Sequence, residues 1–460
     1  MSNNYAGKFV SAETAVKAVQ PGDWVDYGFG AGFPELLDRA LAARRDELTD
    51  VKIRGGLVIR PRIEVVESDP EQKAFSYYSW HIGDYERKLQ TRGLCKFMPM
   101  MLRSLPEMYR HHIRVDVAFV PVSRPDADGY CGLGISNYAW RTIFENARTV
   151  IFEINERLPR LQGVDGSHRV HLSEADFIVE GEHEPLPIRT YRDPSAVDIE
   201  IAKRVVEEIP DGAVLSLGVG GVPFTVANML AQSDKTDLGC HTGTISDAFL
   251  ALYKAGKLTN KKKEIDNGYS TWNLAMGSQE LYDWLDAEPQ LFHPGDLDYI
   301  HSVERISKLS NVISINGGVQ LDLMGQENAE STAPASSRHR RPDGLPRGRL
   351  SLQGRQGLHL HQLVPRDEGR RAQEQHPCHH PRRQHDLRPA HDDPVCRDRV
   401  RHREPFRQDP ARARRGNGLH CAPRIPRRAD EVRAGEFQVI LDQEKGRCRV
   451  TWHRRFCSRF

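Results

Sequence analysis

One order of pieces occurs twice along this chain: helix, turn, strand, glycine cluster, helix. Near residue 11 it reads "SAETAVKAV", Pro21-Gly22-Asp23, "DWVDYGFG" and "FPELLDRALAARRDEL". Near residue 197 it reads "IEIAKRVVEEI", "DGAVLSLGVGG" and "PFTVANMLAQ". Ser11 is expected to cap the first helix, and Pro223 to occupy a favoured first helical position. Ile199, Ile201, Val205 and Ile209 share one helical stripe. "VDVAFVPVS", "RTVIFEIN" and "ADFIVEG" are further strands, so helix and strand patterns alternate as α/β architecture requires. The repetition predicts two related α/β domains, divided near "YRDPSAVD": residues 1–195 and 196–331.

The patterning stops after Ser331. Residues 1–331 hold 35 Lys plus Arg against 48 Asp plus Glu, whereas 332–460 hold 30 against 15. The later segment has one lysine, Lys445, against 29 arginines, and carries 11 of the 20 histidines. Residues 332–434 have too little apolar material to bury a core, so a disordered tail is expected over 332–460. A basic tail could bind nucleic acid, but that does not explain why lysine disappears. Cys378, His379, His380 and His385 lack the paired spacing of a zinc site. A shifted reading frame in a GC-rich gene accounts for the whole bias, because such frames are dense in Arg, Pro, His and Ala codons.

Three places could carry chemistry. "LGCHTGTISDAFLALY", residues 238–253, reads as a strand entering a helix, with His241, Thr242, Ser246 and Asp247 crowded at the junction and Gly243 expected to face outward from the turn. Ile245, Phe249, Leu252 and Tyr253 share a face of that helix, which Gly256 can end. Gly218, Gly220 and Gly221 end a strand and precede a helix, where backbone N–H groups can approach an anion; Gly28, Gly30 and Gly32 do the same earlier. Either cluster could equally be a tight turn. "DLMGQENAES" places Gln326, Asn328 and Glu330 just past a strand end, as a polar loop or a cleft wall.

"VPVSRPDADGYCGLGIS", "NERLPRLQGVDGSHRVHLSEADFIVEGEHEPLP", "LSLGVGGVP", "HTGTISDAFLALYKAGKLTN" and "SINGGVQLDLMGQENAES" are collinear. Together they resemble the acetyl-CoA hydrolase/transferase family, which includes butyryl-CoA:acetate and 4-hydroxybutyrate CoA-transferases. The resemblance covers residues 1 to about 331. It implies two similar open α/β CoA-transferase domains with the active site in the cleft between them, the second truncated by the aberrant tail. It implies an acyl-CoA:carboxylate CoA-transferase, with coenzyme A and a short-chain carboxylate as substrates and no metal. It also implies a glutamate nucleophile in a His-Thr-Glu stretch, which here is His241-Thr242-Gly243. Gly220 and Gly221 would supply oxyanion donors, Gly218, Gln326 and Asn328 would contact CoA, and Glu330 would line the cleft, either as a catalytic carboxylate in place of the missing one or to position substrate or CoA.

Two departures stand out. Gly243 replaces the glutamate, and the family's later "GGQ-x-DF" and "YVVTEYG"-like segments are absent. Gly243 is either an error in a decaying gene or the mark of a subgroup that hydrolyses or only binds acyl-CoA. An Arg-rich nucleic-acid-binding protein on an old enzyme scaffold is the reading from another class. No apolar run approaches a membrane span, no signal peptide begins the chain, and the eight cysteines form no disulfide framework. A cytoplasmic location is therefore expected, with a homodimer as the commonest assembly.

Overall fold

The computed structural model describes residues 3–60, 62–163, 165–318, 320–321, 326–328, 356–361, 438–442 and 447–451. The early strands are β1 (Trp24–Phe29), β2 (Val51–Gly56), β3 (Phe75–Ser79), β4 (Cys95–Phe97) and β5 (Val117–Val122). They continue with β6 (Tyr130–Gly132), β7 (Thr149–Ile154), β8 (Arg169–His171) and β9 (Phe177–Glu180). Seven of them make one sheet in the order β4-β3-β2-β1-β5-β7-β9, parallel throughout, while β6 and β8 pair antiparallel beside it.

The second set is β10 (Val214–Leu217), β11 (Gly239–Ile245), β12 (Ser270–Ala275), β13 (Phe292–Pro294) and β14 (Val312–Gly318). It is followed by β15 (Gln320–Leu321), β16 (Glu327–Asn328) and β17 (Gln356–His361). The second parallel sheet runs β13-β12-β11-β10-β14-β17. The first strand of each set lies inside its sheet. The next three strands extend to one side and the later ones to the other. Both sheets are therefore doubly wound in the same sense, with a switch point beside β1 and another beside β10. The twofold α/β architecture expected from the repeat is present.

Each strand reads apolar because both faces are covered. Along β5, Val117 and Phe119 pack with Tyr27, Ile53 and Ile151 on one face, while Ala118, Val120 and Val122 pack with Phe152 and Trp140 on the other. Local capping matches the sequence: Ser11 Oγ accepts from the Thr14 N–H at 3.3 Å. The helix α1 (Glu35–Ala42) has no side-chain cap of its own. Its first turn is held instead by Glu153 of β7, which accepts from the Leu36 and Leu37 N–H groups at 3.2 and 2.9 Å. The helix α2 (Ala196–Glu208) opens the second set, with Ser195 Oγ accepting from the Asp198 N–H at 3.2 Å.

The two sheets are joined by backbone as well as side chains. The Asn137 N–H donates to the Asn273 carbonyl at 2.9 Å, the Ala275 N–H to Ile135 at 2.8 Å, and the Leu297 N–H to Tyr138 at 3.1 Å. Leu274, Met276 and Leu297 of the second set enter the core of the first. Gly132, the last residue of β6 just before this junction, has no room for a side chain: an added Cβ would stand 2.6 Å from the Leu161 carbonyl oxygen and 3.1 Å from its nitrogen. Backbone cannot rotate away as a side chain can. Gly132→Ala is expected to cost about 1–3 kcal/mol in urea unfolding, the usual range for overpacking.

The chain divides into two compact units, Met1–His379 and His380–Phe460. Both large sheets lie in the first. In the second, β18 (Gln438–Asp442) and β19 (Arg447–Thr451) form an antiparallel pair. β17 lies in the segment expected to show no pattern, and it pairs with β14 from Ile313↔Gln356 to Gly318↔His361. Its Leu-His-Leu-His alternation is a short period-2 signal that the Arg- and Pro-rich surroundings obscured. Cys378, His379, His380 and His385 lie outside the described residues. Among the described residues no helix is long and apolar enough to cross a membrane.

Candidate active site

The 238–253 stretch is a strand entering a helix, with Gly243 differently placed from expectation. β11 ends at Ile245, Ser246 stands at the N-cap, and the helix α3 (Asp247–Lys254) follows. Gly256 ends it in the left-handed conformation, φ +69°. Gly243 is buried within the strand, two residues before its end, and does not face out of a turn. The polar residues around it are engaged structurally. Thr242 Oγ1 donates to the Thr244 carbonyl at 3.3 Å. Asp247 accepts from the Ser278 N–H at 3.0 Å, tying α3 to the helix α4 (Gln279–Ala287). His241 Nε2 donates to the Ile300 carbonyl at 2.8 Å, at the end of the helix α5 (Leu297–Ile300). Burial, with the Lys263 charge nearby, pushes the His241 imidazole down to about 4, so it is neutral. Lys263 itself is committed to the Cys240 carbonyl and Thr271 Oγ1, both at 2.8 Å.

The two glycine clusters, equivalent in sequence, differ in three dimensions. In the first, a Cβ at Gly28 would meet Trp140 at 2.8 Å and one at Gly30 would meet Leu274 at 2.6 Å, while Gly32 sits against Ser136 at 3.5 Å. Protein fills the space, so these glycines serve packing and the expected anion approach does not apply there. In the second, Gly218 is also a packing glycine, with the Asn316 Oδ1 at 2.6 Å from its would-be Cβ. Gly220 and Gly221 are open: the nearest heavy atoms to a Cβ would be Pro223 Cδ at 3.8 Å and Arg192 Nε at 3.8 Å.

These glycines begin a twelve-residue helix, Gly221–Gln232, at the carboxyl end of β10. Pro223 is its third residue, not the first as expected. The first-turn N–H groups of Gly221 and Val222 have no acceptor within the helix. The connecting segment between the two sheets passes beside them. The Arg189 N–H donates to the Gly277 carbonyl at 2.9 Å, and the Tyr191 ring stacks on Phe224 at 4.5 Å and 6°. Arg192 pairs with Asp198 at 3.3 Å and keeps 63% of its side chain exposed. A guanidinium beside unpaired helix N–H groups is suited to an anion such as a phosphate. Arg192 escaped the sequence reading because no local motif marks a connecting segment that folds back over a helix start.

The other expected site residues divide. Asn328 pairs with Gln320 between β16 and β15. Gln326 is exposed just before it. Glu330 lies outside the described residues. A cavity of about 400 Å³ lined by Asp211, Asp237, Lys262 and Glu264 belongs to the amino ends of β10 and β11, away from these groups. Glu156, Glu180 and His183 meet at the surface, where His183 Nδ1 accepts from the Glu156 N–H at 3.2 Å and Nε2 faces Glu180 at 3.3 Å. These mutual contacts account for the trio.

Two doubly wound parallel sheets, with an open helix start at one switch point and a buried strand beside it, make an α/β fold suited to an anionic ligand at the carboxyl ends of its strands. The chain belongs to the acetyl-CoA hydrolase/transferase family, whose N-terminal domain matches residues 1–189 and whose C-terminal domain matches residues 277–338. It is 40% identical over 331 residues to the butyryl-CoA:acetate CoA-transferase of Anaerostipes caccae, covering 71% of this chain and 73% of that one. It is 33% identical over 330 residues to the 4-hydroxybutyrate coenzyme A transferase of Clostridium kluyveri, covering 71% and 74%. Among solved structures it superimposes on RipA from Yersinia pestis with a TM-score of 0.66 at 31% identity, over 71% of this chain and 76% of that one. CoA thioesters are the substrates of CoA-transferases, and this chain carries their fold.

Proposed function

We propose that this protein is an acyl-CoA:carboxylate CoA-transferase for short-chain acyl groups, such as acetyl, butyryl or 4-hydroxybutyryl, slowed by the loss of its nucleophile. The observation that carries the reading is the pairing of two places: an open Gly220-Gly221 helix start flanked by Arg192, and the buried strand position 243 on the neighbouring strand. The first suits the anionic part of CoA and an oxyanion. The second is where the family resemblance places a glutamate. In the unimpaired reaction the carboxylate attacks the thioester, giving a mixed anhydride and CoA thiolate. The thiolate then returns to form a glutamyl-CoA thioester, which a second carboxylate resolves.

Residues 1–195 and 196–331 are taken as the two transferase domains, with Gln326, Asn328 and Glu330 at the cleft wall. The tail from 332 is taken as out of frame. Reading the nucleotide sequence around codon 332 in all three frames tests this: a family-like continuation is expected in another frame, and its absence from all of them overturns it. Buried free thiols at Cys95, Cys131 and Cys240 fit a reducing cytoplasm.

Calorimetric titration of the purified chain with butyryl-CoA tests the ligand assignment. Saturable binding is expected, and its absence would remove the reading. Arg192→Ala is expected to weaken CoA binding by about tenfold, the size of one charge-assisted hydrogen bond. An unchanged affinity would remove Arg192 from the site.

A further inference from the structure

Five polar atoms buried around the candidate site have no hydrogen-bond partner among the described residues. They are Nδ2 and Oδ1 of Asn137, Nδ1 of His241, and both ring nitrogens of His301. The three residues are 0%, 1% and 5% exposed. Asn273, beside them, is 4% exposed. Leaving a buried donor or acceptor unpaired costs about 1–3 kcal/mol, so a cluster of them calls for an occupant.

Strand register sets their arrangement. The antiparallel bridge Ser136↔Leu274 places Asn137 opposite Asn273. The parallel pairs Thr242↔Trp272 and Thr244↔Leu274 place Asn273 beside Gly243. Residues opposite one another share a face, so Asn137, Asn273 and position 243 form one row across β11, β12 and the extended segment bridged to β12. His241, two residues before Gly243, projects from that same face. His301 follows directly on α5, whose last carbonyl accepts from His241 Nε2. That bond puts the His241 proton on Nε2 and leaves Nδ1 a lone pair. Burial holds the His301 imidazole neutral, with its pKa pushed down to about 3, so one of its nitrogens donates and the other accepts.

We infer that this row is a binding site for a free carboxylate, standing where residue 243 has no side chain, and that the acceptor carboxylate itself attacks the thioester. The inference rests on the CoA-transferase reading. The Asn137 and Asn273 amides and the His301 N–H supply the donors that a carboxylate needs. The acceptor oxygen forms a bond to the thioester carbonyl carbon as the C–S bond breaks, giving a mixed anhydride and CoA thiolate. The thiolate then attacks the acceptor's carbonyl and releases the donor acid as its carboxylate. Both substrates must be present together, and no acyl or CoA group becomes attached to the enzyme.

Single-turnover transfer from butyryl-CoA to acetate labelled with ¹⁸O in both oxygens tests this, using the full chain. Direct attack delivers one labelled oxygen to the released butyrate, and initial-rate plots intersect. Unlabelled butyrate, or parallel plots, would mean an enzyme carboxylate takes part and would overturn the inference. Asn273→Ala is expected to raise KM for acetate about tenfold while leaving KM for butyryl-CoA unchanged; the reverse pattern would also overturn it. If the variant does not fold, the label in the unaltered chain still decides. A chain that binds butyryl-CoA yet shows no acetate-dependent transfer above the uncatalysed rate defeats the inference alone. A chain that binds no butyryl-CoA defeats the CoA-transferase reading and the inference with it.

Discussion

The purified chain is expected to exchange CoA between butyryl-CoA and acetate roughly 10⁴–10⁶-fold more slowly than relatives that retain the glutamate, the usual loss when a covalent nucleophile is deleted. A glutamate at 243 would be held by the buried strand β11 at a fixed distance from the thioester. A free carboxylate must be recruited from solution and oriented at each turnover, and positioning alone can account for about 7–11 kcal/mol of a barrier. Gly243→Glu alone is not expected to restore the full rate, because the family resemblance implies that the later segments, absent from this sequence, supply part of the second domain and of the CoA contacts. Steady-state rates for the unaltered chain, for Gly243→Glu, and for Gly243→Glu with an in-frame tail separate these contributions. Brisk exchange by the unaltered chain would show that the nucleophile lies elsewhere.

Asp26→Ala is expected to destabilise the first sheet by about 3–5 kcal/mol, read as a lower urea midpoint, because it strands a buried cation. Arg54 is 2% exposed and Asp26 fully buried. The guanidinium Nε donates to Asp26 Oδ1 at 3.2 Å, its Nη2 pairs with Oδ2, and Tyr109 Oη donates to the same carboxylate at 2.6 Å. Trp24 and Tyr109 stack against the guanidinium at 5.0 and 5.2 Å. With the carboxylate removed, Arg54 keeps the Arg114 carbonyl at 2.9 Å, the Tyr109 hydroxyl at 3.3 Å and the two rings, none of which carries a negative charge. Replacing the pair together by apolar residues should cost much less, since no buried charge remains. A Asp26→Ala variant as stable as the parent would show that Arg54 reaches water once the pair is broken.

Several features of the fold were legible because they are local. The apolar run of β5, the Ser11 cap, the strand-to-helix order at 238–253 and the repeated unit are all written in spacings of two to four residues. The site was only half legible. Gly218, Gly220 and Gly221 look alike in sequence, yet Asn316 of β14 crowds the first and leaves the others open. Asn137 and Asn273 are 136 positions apart, and only the Ser136↔Leu274 bridge brings them side by side. Arg192 reaches the helix start because the connecting segment packs Tyr191 on Phe224.

By itself, the sequence determined the α/β class, the twofold repeat, the absence of a carboxylate at position 243 and the break in composition after Ser331. These follow from residue identity and from periodicities of the backbone, which act over a few residues. Only the tertiary structure decided which glycine loop is filled and which is open, and which polar side chains share a face with Gly243. Those outcomes depend on strand register and on packing between sheets. There, neighbours come from distant parts of the chain, and a shift of one residue in register would turn every one of these groups to the opposite face.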